Sequence, residues 1–269
     1  MDGLFGRDDA APWIAVPDDD DDKYSRGVVG FVTGSARYPG AAVLGVEAAL
    51  RTGVGMVRYL GPGRATRLVL QRRPEAVTAE GRVQAWVLGS GWDTARKTDD
   101  LTAMLLEPAL AGTTPTVLDA GALPLWERIS APRVLTPHAG ELARLLGAET
   151  ADVLADRAGS AHRAVELTGA TVLLKGAETL VAAPGGTLLR VSNATPWLAT
   201  AGAGDALAGI LGALVATHAD APDLAPVAAA AAWIHGEAAR RASGGGPFAI
   251  LDLCAAIPGV VRDLATMSP

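Results

Sequence analysis

Short apolar runs alternate with longer segments of helical periodicity along most of the chain. The apolar runs, which we predict to be strands, cover residues 28–33, 56–60, 85–89, 116–119 and 133–136. Between them, apolar residues recur at helical spacing, notably over 41–52 and 101–110. Continuous apolar runs are typical of strands buried on both faces, and their alternation with helices indicates βαβ units. The pattern therefore predicts a parallel sheet covered by helices on both sides.

The pattern changes after a predicted helix over 151–168. Three further strand candidates, 171–175, 179–183 and 187–192, are separated only by the short breaks GAE and PGG. Breaks of this length join antiparallel neighbours, so we predict an antiparallel meander. Two long helices follow, over about 203–217 and 226–242. Because no linker or repeat interrupts 23–269, we interpret this range as one three-layer α/β/α domain with a mostly parallel central sheet.

Composition narrows the class of protein. No apolar run in the 269 residues is long enough to cross a bilayer, so no membrane partner is expected. The single cysteine, Cys254, excludes an internal disulfide and suits a reducing compartment, which favours a cytoplasmic protein. Its apolar neighbours favour a core position over a nucleophilic role.

The net charge of -6 comes from one end of the chain. Eight of the 29 acidic residues lie within residues 1–22, where only Arg7 opposes them. The remainder holds 21 acidic and 22 basic residues and is nearly neutral, so it has no basic footprint for nucleic acid. We predict that residues 1–22 form an acidic, poorly ordered arm.

The stretch ATAGAGDALAG (199–209) places glycines and one carboxylate at the start of a predicted buried helix. The first turn of a helix carries unpaired N–H groups and the positive end of the helix dipole. Gly202 and Gly204 would let an anion approach that backbone, and Asp205 could accept a proton. The alternative is that Asp205 only stabilises the helix start and that the glycines belong to an ordinary loop. Neither a Walker loop nor a Gly-x-Gly-x-x-Gly turn after the first strand is present.

Polar residues also follow the predicted strands, at the sheet edge where ligands of open parallel sheets gather. For Asp119 the residues leave two functions open: positioning a magnesium ion or water, and capping the next helix. Lys175 could meet a ligand or extend along the surface to solvent. The polar residues at strand ends are Thr33 to Tyr38, Ser90 to Asp93, Asp119, Thr136 to His138, and Lys175.

Taken in order, these motifs resemble one family, the ADP/ATP-dependent NAD(P)H-hydrate dehydratases. The resemblance covers most of 23–217 and implies a ribokinase-like fold. TPH-x-GE, KGA-x-T and the Gly-x-Gly-Asp turn separate this family from sugar and vitamin kinases. The matching segments are KYSRG (23–27), TGSARYPGAAVLGVEAALRTGVGMV (33–57), VLGSG (87–91), VLDAGAL (117–123), LTPHAGELARLLG (135–147), LLKGAETLVA (173–182) and LATAGAGDALAGILGAL (198–214).

The resemblance implies repair of NADH or NADPH whose nicotinamide ring has taken up water, the compounds NADHX and NADPHX. The ring hydroxyl would attack a phosphate of ADP or ATP with Mg²⁺ present, and the phosphorylated intermediate would expel phosphate. Bacterial members are expected to prefer ADP. The resemblance also implies a homo-oligomer, with a tetramer suggested by relatives, and a separate epimerase acting on the same substrate.

The resemblance assigns roles to single positions but gives no metal ligands. Asp205 would be the catalytic base and contact the hydrate, as would Ala41, Ala42, Gly91 and His138. A lone histidine such as His138 is otherwise usually structural. The transferred phosphoryl group would be held by Gly202, Ala203, Gly204 and Asp205. The adenine nucleotide would be bound by Lys175, Gly176, Ala177, Glu178, Thr179 and Gly204.

Three departures from the family pattern put substrate fit in question. GSGWD (89–93) replaces the usual continuation of a GPG loop, Pro196 and Trp197 stand where Gly-Met is common, and Ala203 replaces a Ser or Thr. Two other functions stay open. One is a ribokinase-like kinase of a small alcohol or vitamin precursor, which would share the glycine-aspartate turn. The other is a nucleotide-binding protein without catalytic activity.

Overall fold

A computed structural model of the chain describes residues 2–92 and 100–267. Asp93, one of the polar residues noted at the strand ends, lies outside this range. Within it, the strands form one sheet in the order β1-β9-β8-β7-β6-β5-β4-β2-β3. Their bounds are β1 (Asp2–Leu4), β2 (Val28–Val32), β3 (Met56–Tyr59), β4 (Ala85–Leu88), β5 (Thr116–Leu118), β6 (Arg133–Leu135), β7 (Thr171–Leu174), β8 (Thr179–Ala183) and β9 (Thr187–Val191).

Neighbouring strands run parallel except at β7–β8 and β8–β9, which are antiparallel. The predicted mostly parallel sheet with an antiparallel meander is therefore confirmed. β2, β4, β5 and β7 are buried along their whole length, which explains their uninterrupted apolar sequences.

Helices cover both faces of this sheet. One face of the sheet is covered by α2, α3, α8, α9 and α10, and the other is covered by α4 to α7. No helix within 2–92 and 100–267 has both the length and the apolarity needed to cross a membrane. The helix bounds are α1 (Arg7–Ala10), α2 (Pro39–Thr52), α3 (Gly63–Arg72), α4 (Asp100–Ala111), α5 (Ala139–Leu146), α6 (Thr150–Ala155), α7 (Arg157–Thr168), α8 (Ala203–Thr217), α9 (Ala225–Ser243) and α10 (Ile250–Ala265).

Two features of the helices differ from the sequence prediction. The helix predicted over 151–168 is interrupted at Asp156, whose φ of -137° leaves the helical region and whose side chain accepts the Gly159 N–H at 2.9 Å to cap α7. The helices α3 and α10 were not predicted. α10 contains Pro258 and Gly259, residues that weaken a helical pattern in sequence.

The N-terminal residues are ordered, contrary to the prediction of a poorly ordered arm. β1 pairs with β9 and extends the sheet, and Arg7 donates a hydrogen bond to the Asp263 carbonyl at 3.1 Å. The side chains of Phe5, Ala10 and Ile14 are buried in the main core. These few apolar side chains bind the segment to the domain, so the correction applies to residues 2–14. Residues 15–22 are exposed.

α8 is the most deeply buried helix of its layer. Each residue from Ala206 to Ala216 is buried, because α8 lies between the sheet and α2. Small residues allow this close packing: a Cβ at Gly212 would overlap Val87 of β4, and one at Gly209 would overlap the Gly45 carbonyl of α2. The sheet and α2 therefore fix the position at which α8 begins.

A buried carboxylate joins α2 to α3. Glu47 is fully buried and pairs with Arg51 at 2.6 Å, Arg72 at 3.1 Å and Arg73 at 2.5 Å. Burial alone would raise the pKa of Glu47, but hydrogen bonds from Arg73, Arg51 and Arg72 lower it to about 2. The cluster stabilises the fold while Glu47 is ionised.

We expect Glu47→Gln to lower the free energy of unfolding by about 3–5 kcal/mol at pH 7, because the arginines lose their buried partner. In the wild type, the stabilisation that ionised Glu47 provides is fully present above pH 4.5 and is lost as pH falls toward 2. The reason is that the pKa of Glu47 is lower in the folded than in the unfolded chain. Urea unfolding at several pH values measures both effects. Glu75→Gln, which removes a half-exposed carboxylate, is the control; equal losses in the two variants would contradict this account.

Candidate functional site

Four polar side chains meet at the carboxyl ends of adjacent strands. Asp119 follows β5 and is buried. Its carboxylate accepts hydrogen bonds from Ser90 after β4 at 2.8 Å, from Thr136 after β6 at 2.7 Å and from Lys175 after β7 at 2.8 Å. Because β4, β5, β6 and β7 are sheet neighbours, their ends bring these residues together.

The structure gives Asp119 a role that neither sequence alternative described. Both carboxylate oxygens accept protein donors, and the side chain does not cap the following 3₁₀ helix, Ala120–Arg128, so the capping alternative is wrong. The other alternative, positioning a magnesium ion or water, stays a prediction. Burial alone would raise the pKa of Asp119, but the charge of Lys175 and the three hydrogen bonds hold it below its usual range. Asp119 is therefore an ionised anchor for Lys175.

Lys175 is a largely buried cation and does not extend along the surface to solvent. Its ammonium lies 2.8 Å from Asp119 Oδ1 and 3.7 Å from Glu141 Oε2. Burial disfavours the charge, but Asp119, Glu141 and Asp205 raise the pKa of Lys175 above its usual value. A Cβ at Gly204 would lie 3.5 Å from the ammonium, so the cation reaches the first turn of α8.

The first turn of α8 presents backbone donors. Gly202 caps the helix with a φ of 92°, and a Cβ there would overlap Leu44. Ala203 N–H donates to the Thr200 carbonyl at 3.4 Å, so it is partly engaged. Within the described part of the chain, the N–H groups of Gly202, Gly204 and Asp205 donate to no protein acceptor. Three unpaired donors and the helix dipole therefore favour an anion here.

Asp205 follows these donors and titrates near neutral pH. Burial, followed by the negative charge of Asp119, raises the pKa of Asp205 to about 7, while Lys175 opposes the shift. A carboxylate with this pKa can accept a proton at neutral pH and release it again.

A cavity of about 490 Å³ opens beside the first turn of α8. Five predicted nucleotide-binding residues line it, namely Lys175, Gly176, Ala177, Thr179 and Gly204, as does Ala203. Of the residues predicted to bind the nucleotide or its phosphoryl group, Glu178, Gly202 and Asp205 do not line it. Glu178 pairs with Arg190 at 3.2 Å, and Asp205 lies next to the Asp119–Lys175 pair instead of in the cavity wall. The carboxylate of Asp205 therefore lies outside the cavity lining, next to the lining residues Gly204 and Lys175.

The predicted substrate contacts Ala41, Ala42 and Gly91 form one junction between α2 and the end of β4. Gly91 has a φ of 70°, and a Cβ there would overlap Ala41 and approach the Tyr38 carbonyl to 2.9 Å. Ala42 is fully buried, so its side chain offers no surface to a ligand. Close packing alone explains why these positions need small residues, and substrate contact at Ala41 and Gly91 stays a prediction.

His138 is the N-cap of α5. Its Nδ1 accepts the Gly140 N–H at 3.1 Å and the Glu141 N–H at 3.3 Å, and Glu141 accepts the His138 N–H at 2.8 Å. His138 therefore has a structural role, as a lone histidine usually does. The ring is about half exposed and lies at the site, because Glu141 also approaches Lys175. A contact with substrate stays a prediction.

Sequence reasoning missed the roles of three site residues. Glu141 connects His138 to Lys175, a link that only the folded chain creates. Asn193 and His235 line the cavity, and each has a side-chain atom without a partner within the described residues. His235 lies in the alanine-rich α9 with no motif around it, so the sequence carries no signal for it.

Comparison with known proteins identifies similar chains. The sequence model of the NAD(P)H-hydrate dehydratase family matches residues 29–249. The bifunctional NAD(P)H-hydrate repair enzyme Nnr of Mycobacterium tuberculosis is 45% identical over 227 residues, covering 80% of this chain and 46% of that protein. The ADP-dependent (S)-NAD(P)H-hydrate dehydratase of Neisseria meningitidis is 37% identical over 239 residues, covering 82% of this chain and 79% of that protein.

The structural comparison agrees on the fold. The ADP/ATP-dependent NAD(P)H-hydrate dehydratase of Bacillus subtilis, co-crystallised with ATP and Mg²⁺, superposes with a TM-score of 0.86 at 23% identity, covering 97% of this chain and 98% of that one. This similarity confirms the predicted ribokinase-like fold. The chain spans about half the length of the bifunctional relatives that it matches.

The raised pKa of Asp205 has a consequence for stability. We expect Asp205→Asn to stabilise the protein relative to wild type at pH 8 and to lose this advantage as pH falls toward 4. The folded pKa of about 7 exceeds the ordinary 3.8, so ionising Asp205 costs the folded state stability increasingly between those two pH values. Thermal unfolding from pH 4 to 8 measures the difference.

The control for this experiment is Asp220→Asn, which changes an exposed carboxylate. Its melting temperature is expected to stay close to that of the wild type, because the side chain is exposed. A difference between Asp205→Asn and wild type that does not change from pH 4 to 8 would mean that the pKa of Asp205 is not raised by folding.

Proposed function

The chain belongs to the NAD(P)H-hydrate dehydratase family, and on that premise we propose that it dehydrates (S)-NADHX or (S)-NADPHX to NADH or NADPH at the expense of a nucleotide phosphate bond. One observation carries the proposal. Asp205, with a pKa of about 7, lies in the first turn of α8, where the N–H groups of Gly202, Gly204 and Asp205 lack partners among the described residues. This turn is beside a cavity lined by the KGA segment, Lys175 to Ala177. Such a turn suits transfer of a phosphoryl group to a neighbouring hydroxyl.

The reaction begins at the hydroxyl of the hydrated ring, because hydroxide is a poor leaving group. Asp205 accepts the hydroxyl proton while the oxygen forms a bond to the terminal phosphorus of ADP, and the bond from that phosphorus to the AMP oxygen breaks. The ring nitrogen then supplies electrons as the carbon–oxygen bond breaks and phosphate leaves. The iminium ion that remains loses a proton from the adjacent ring carbon to solvent, and this restores the ring double bond. The products are AMP, phosphate and the reduced dinucleotide.

The residues around Asp205 stabilise the charge that moves. The N–H groups of Gly202, Gly204 and Asp205 can hold the phosphoryl oxygens, and each such donor contributes roughly 2.7–4 kcal/mol in enzymes where it has been removed. Lys175, held by Asp119 beside Gly204, offers a fixed positive charge to the same group. Ala203 lacks the hydroxyl that is common at this position, so the backbone alone supplies the donors at that residue.

Magnesium would reach this site with the nucleotide. Among the residues that the structure describes, no cluster of three His, Cys, Asp or Glu side chains could hold a metal ion. Asp119 has three protein donors, one of them a cation. These residues fit a magnesium ion held by nucleotide phosphates and water, which would neutralise phosphate charge.

The choice of nucleotide, the partners and the compartment are further parts of the proposal. ADP is the expected donor, since the 37% identical Neisseria meningitidis protein is named ADP-dependent, and ATP is the alternative. A homo-oligomer, with a tetramer as the expected state, rests on the resemblance alone. The bifunctional relatives support a second activity, which we assign to a separate epimerase. The single buried cysteine suits the cytoplasm.

The direct test incubates the purified chain with hydrated NADH, Mg²⁺ and either ADP or ATP, and follows the absorbance of the reduced ring. We expect NADH and phosphate to appear together. Asp205→Asn should lower turnover about 10²–10⁴-fold while nucleotide binding survives, as for loss of a general base. Asp220→Asn, exposed at the other end of α8, is the control. A stable phosphate ester as product would instead indicate a kinase, and an unchanged rate in Asp205→Asn would remove its catalytic role.

We expect Lys175→Met to weaken ADP binding about 10–100-fold, because a charge-assisted hydrogen bond to phosphate is lost. Calorimetry measures the affinity, with Lys23→Met at an exposed lysine as the control. Removing Lys175 also leaves Asp119 buried without its counter-charge, so the double variant Asp119→Asn/Lys175→Met separates the two effects. If the double variant binds ADP as wild type does, the lysine serves the fold alone.

A further inference from the structure

His235 is a buried titratable residue that the proposed reaction does not use. It lies in α9, only 7% of its surface is exposed, and it lines the cavity beside α8. Its Nε2 atom is buried and has no hydrogen-bond partner within residues 2–92 and 100–267. Buried polar side-chain atoms nearly always have a hydrogen-bond partner, so a bound ligand is the expected partner of this atom.

The wall around His235 suits the uncharged half of a nucleotide. Apolar side chains of Val191, Leu198, Leu207 and Ala232 line the same cavity. Such a lining accepts a flat base, and a few polar atoms within it fix the orientation of a ligand. The charged half has its own partners at Lys175 and the first turn of α8.

His235 is held in place from two sides. Its ring lies against the backbone of Ala203 in the first turn of α8. Next to it, Asn193 after β9 donates to the Trp233 carbonyl of α9 at 2.9 Å, and a Cβ at Gly236 would lie 2.5 Å from Asn193 Oδ1. These contacts fix α9 against the end of β9, so the imidazole is positioned before a ligand arrives.

The ring is neutral at physiological pH. Burial lowers the pKa of His235 to about 4, a shift that the Ala203 backbone opposes and the charge of Lys175 favours. A neutral imidazole has one N–H and one lone pair, which match a hydroxyl, an amino group or a ring nitrogen. It carries no charge for a phosphate, and Lys175 and the unpaired N–H groups serve that part of the ligand.

We propose that His235 determines nucleotide specificity by forming a hydrogen bond, through Nε2, with the ribose or the base of the bound nucleotide. The inference rests on the proposed function, because it takes the cavity to be the nucleotide site. It adds a contact from α9 to those of the KGA segment and assigns the buried Nε2 atom a ligand.

The test combines variants with nucleotide analogues. Binding of ADP, 2′-deoxy-ADP, 3′-deoxy-ADP, IDP and 7-deaza-ADP is measured by calorimetry for wild type, His235→Leu and His235→Gln. The leucine removes the polar atom at similar volume, whereas the glutamine amide can occupy the position of Nε2. His218→Gln, at the far end of α8, is the control, and thermal unfolding shows that each variant folds.

We expect His235→Leu to weaken ADP binding at least threefold and His235→Gln to restore most of it. One analogue should bind wild type more weakly than ADP does and should lose no further affinity in His235→Leu, which identifies the group that Nε2 contacts. Affinity for ADP that changes less than threefold in His235→Leu would overturn the inference. So would an equal loss for ADP and every analogue, because that pattern indicates an indirect effect. Even without a folded leucine variant, equal binding of all five nucleotides by wild type would contradict the proposal.

These outcomes separate the inference from the proposed function. If wild type binds ADP and dehydrates the hydrate but His235→Leu behaves as wild type, only the specificity role fails. If wild type binds no adenine nucleotide, the proposed function fails and the inference fails with it.

Discussion

The site depends on one buried ion pair, Asp119 with Lys175. Burying either charge without the other would destabilise the fold. The Asp119 carboxylate accepts hydrogen bonds from Lys175, Ser90 and Thr136, and the four residues follow four adjacent strands. The parallel order of β4 to β7 makes this possible, because all four strands end at the same edge of the sheet. The fold therefore places a fixed positive charge beside the first turn of α8.

The same pair sets the chemistry of its surroundings. The negative charge of Asp119 disfavours ionisation of Asp205 and raises its pKa, while the positive charge of Lys175 limits this rise. The glycines of the α8 turn keep side chains away from the unpaired N–H groups, and α2 and the sheet hold the helix so that its first turn meets Lys175. The first turn of α8 therefore carries an anion site and a proton acceptor, and the Lys175 cation lies beside it.

Much of the fold could be predicted from the sequence, because buried strands and amphipathic helices leave periodic patterns. The N-terminal segment could not: its few apolar residues, such as Phe5 and Ile14, are hidden among acidic ones and act only through contacts distant in sequence. For the site, the glycine-aspartate turn and Lys175 were found by motif. The anchoring role of Asp119, the Glu141 link and the free nitrogen of His235 all depend on neighbours that only folding brings together.

The central claim is that the folded chain holds Asp205 as a proton acceptor near neutral pH beside unpaired helix donors. A carbon-13 NMR titration of the Asp205 carboxyl carbon, assigned by its loss in Asp205→Asn, measures this property in the intact protein. The account predicts an apparent pKa of about 7. A value near the ordinary 3.8 would contradict it, because the carboxylate would then lack the environment on which the proposed base depends.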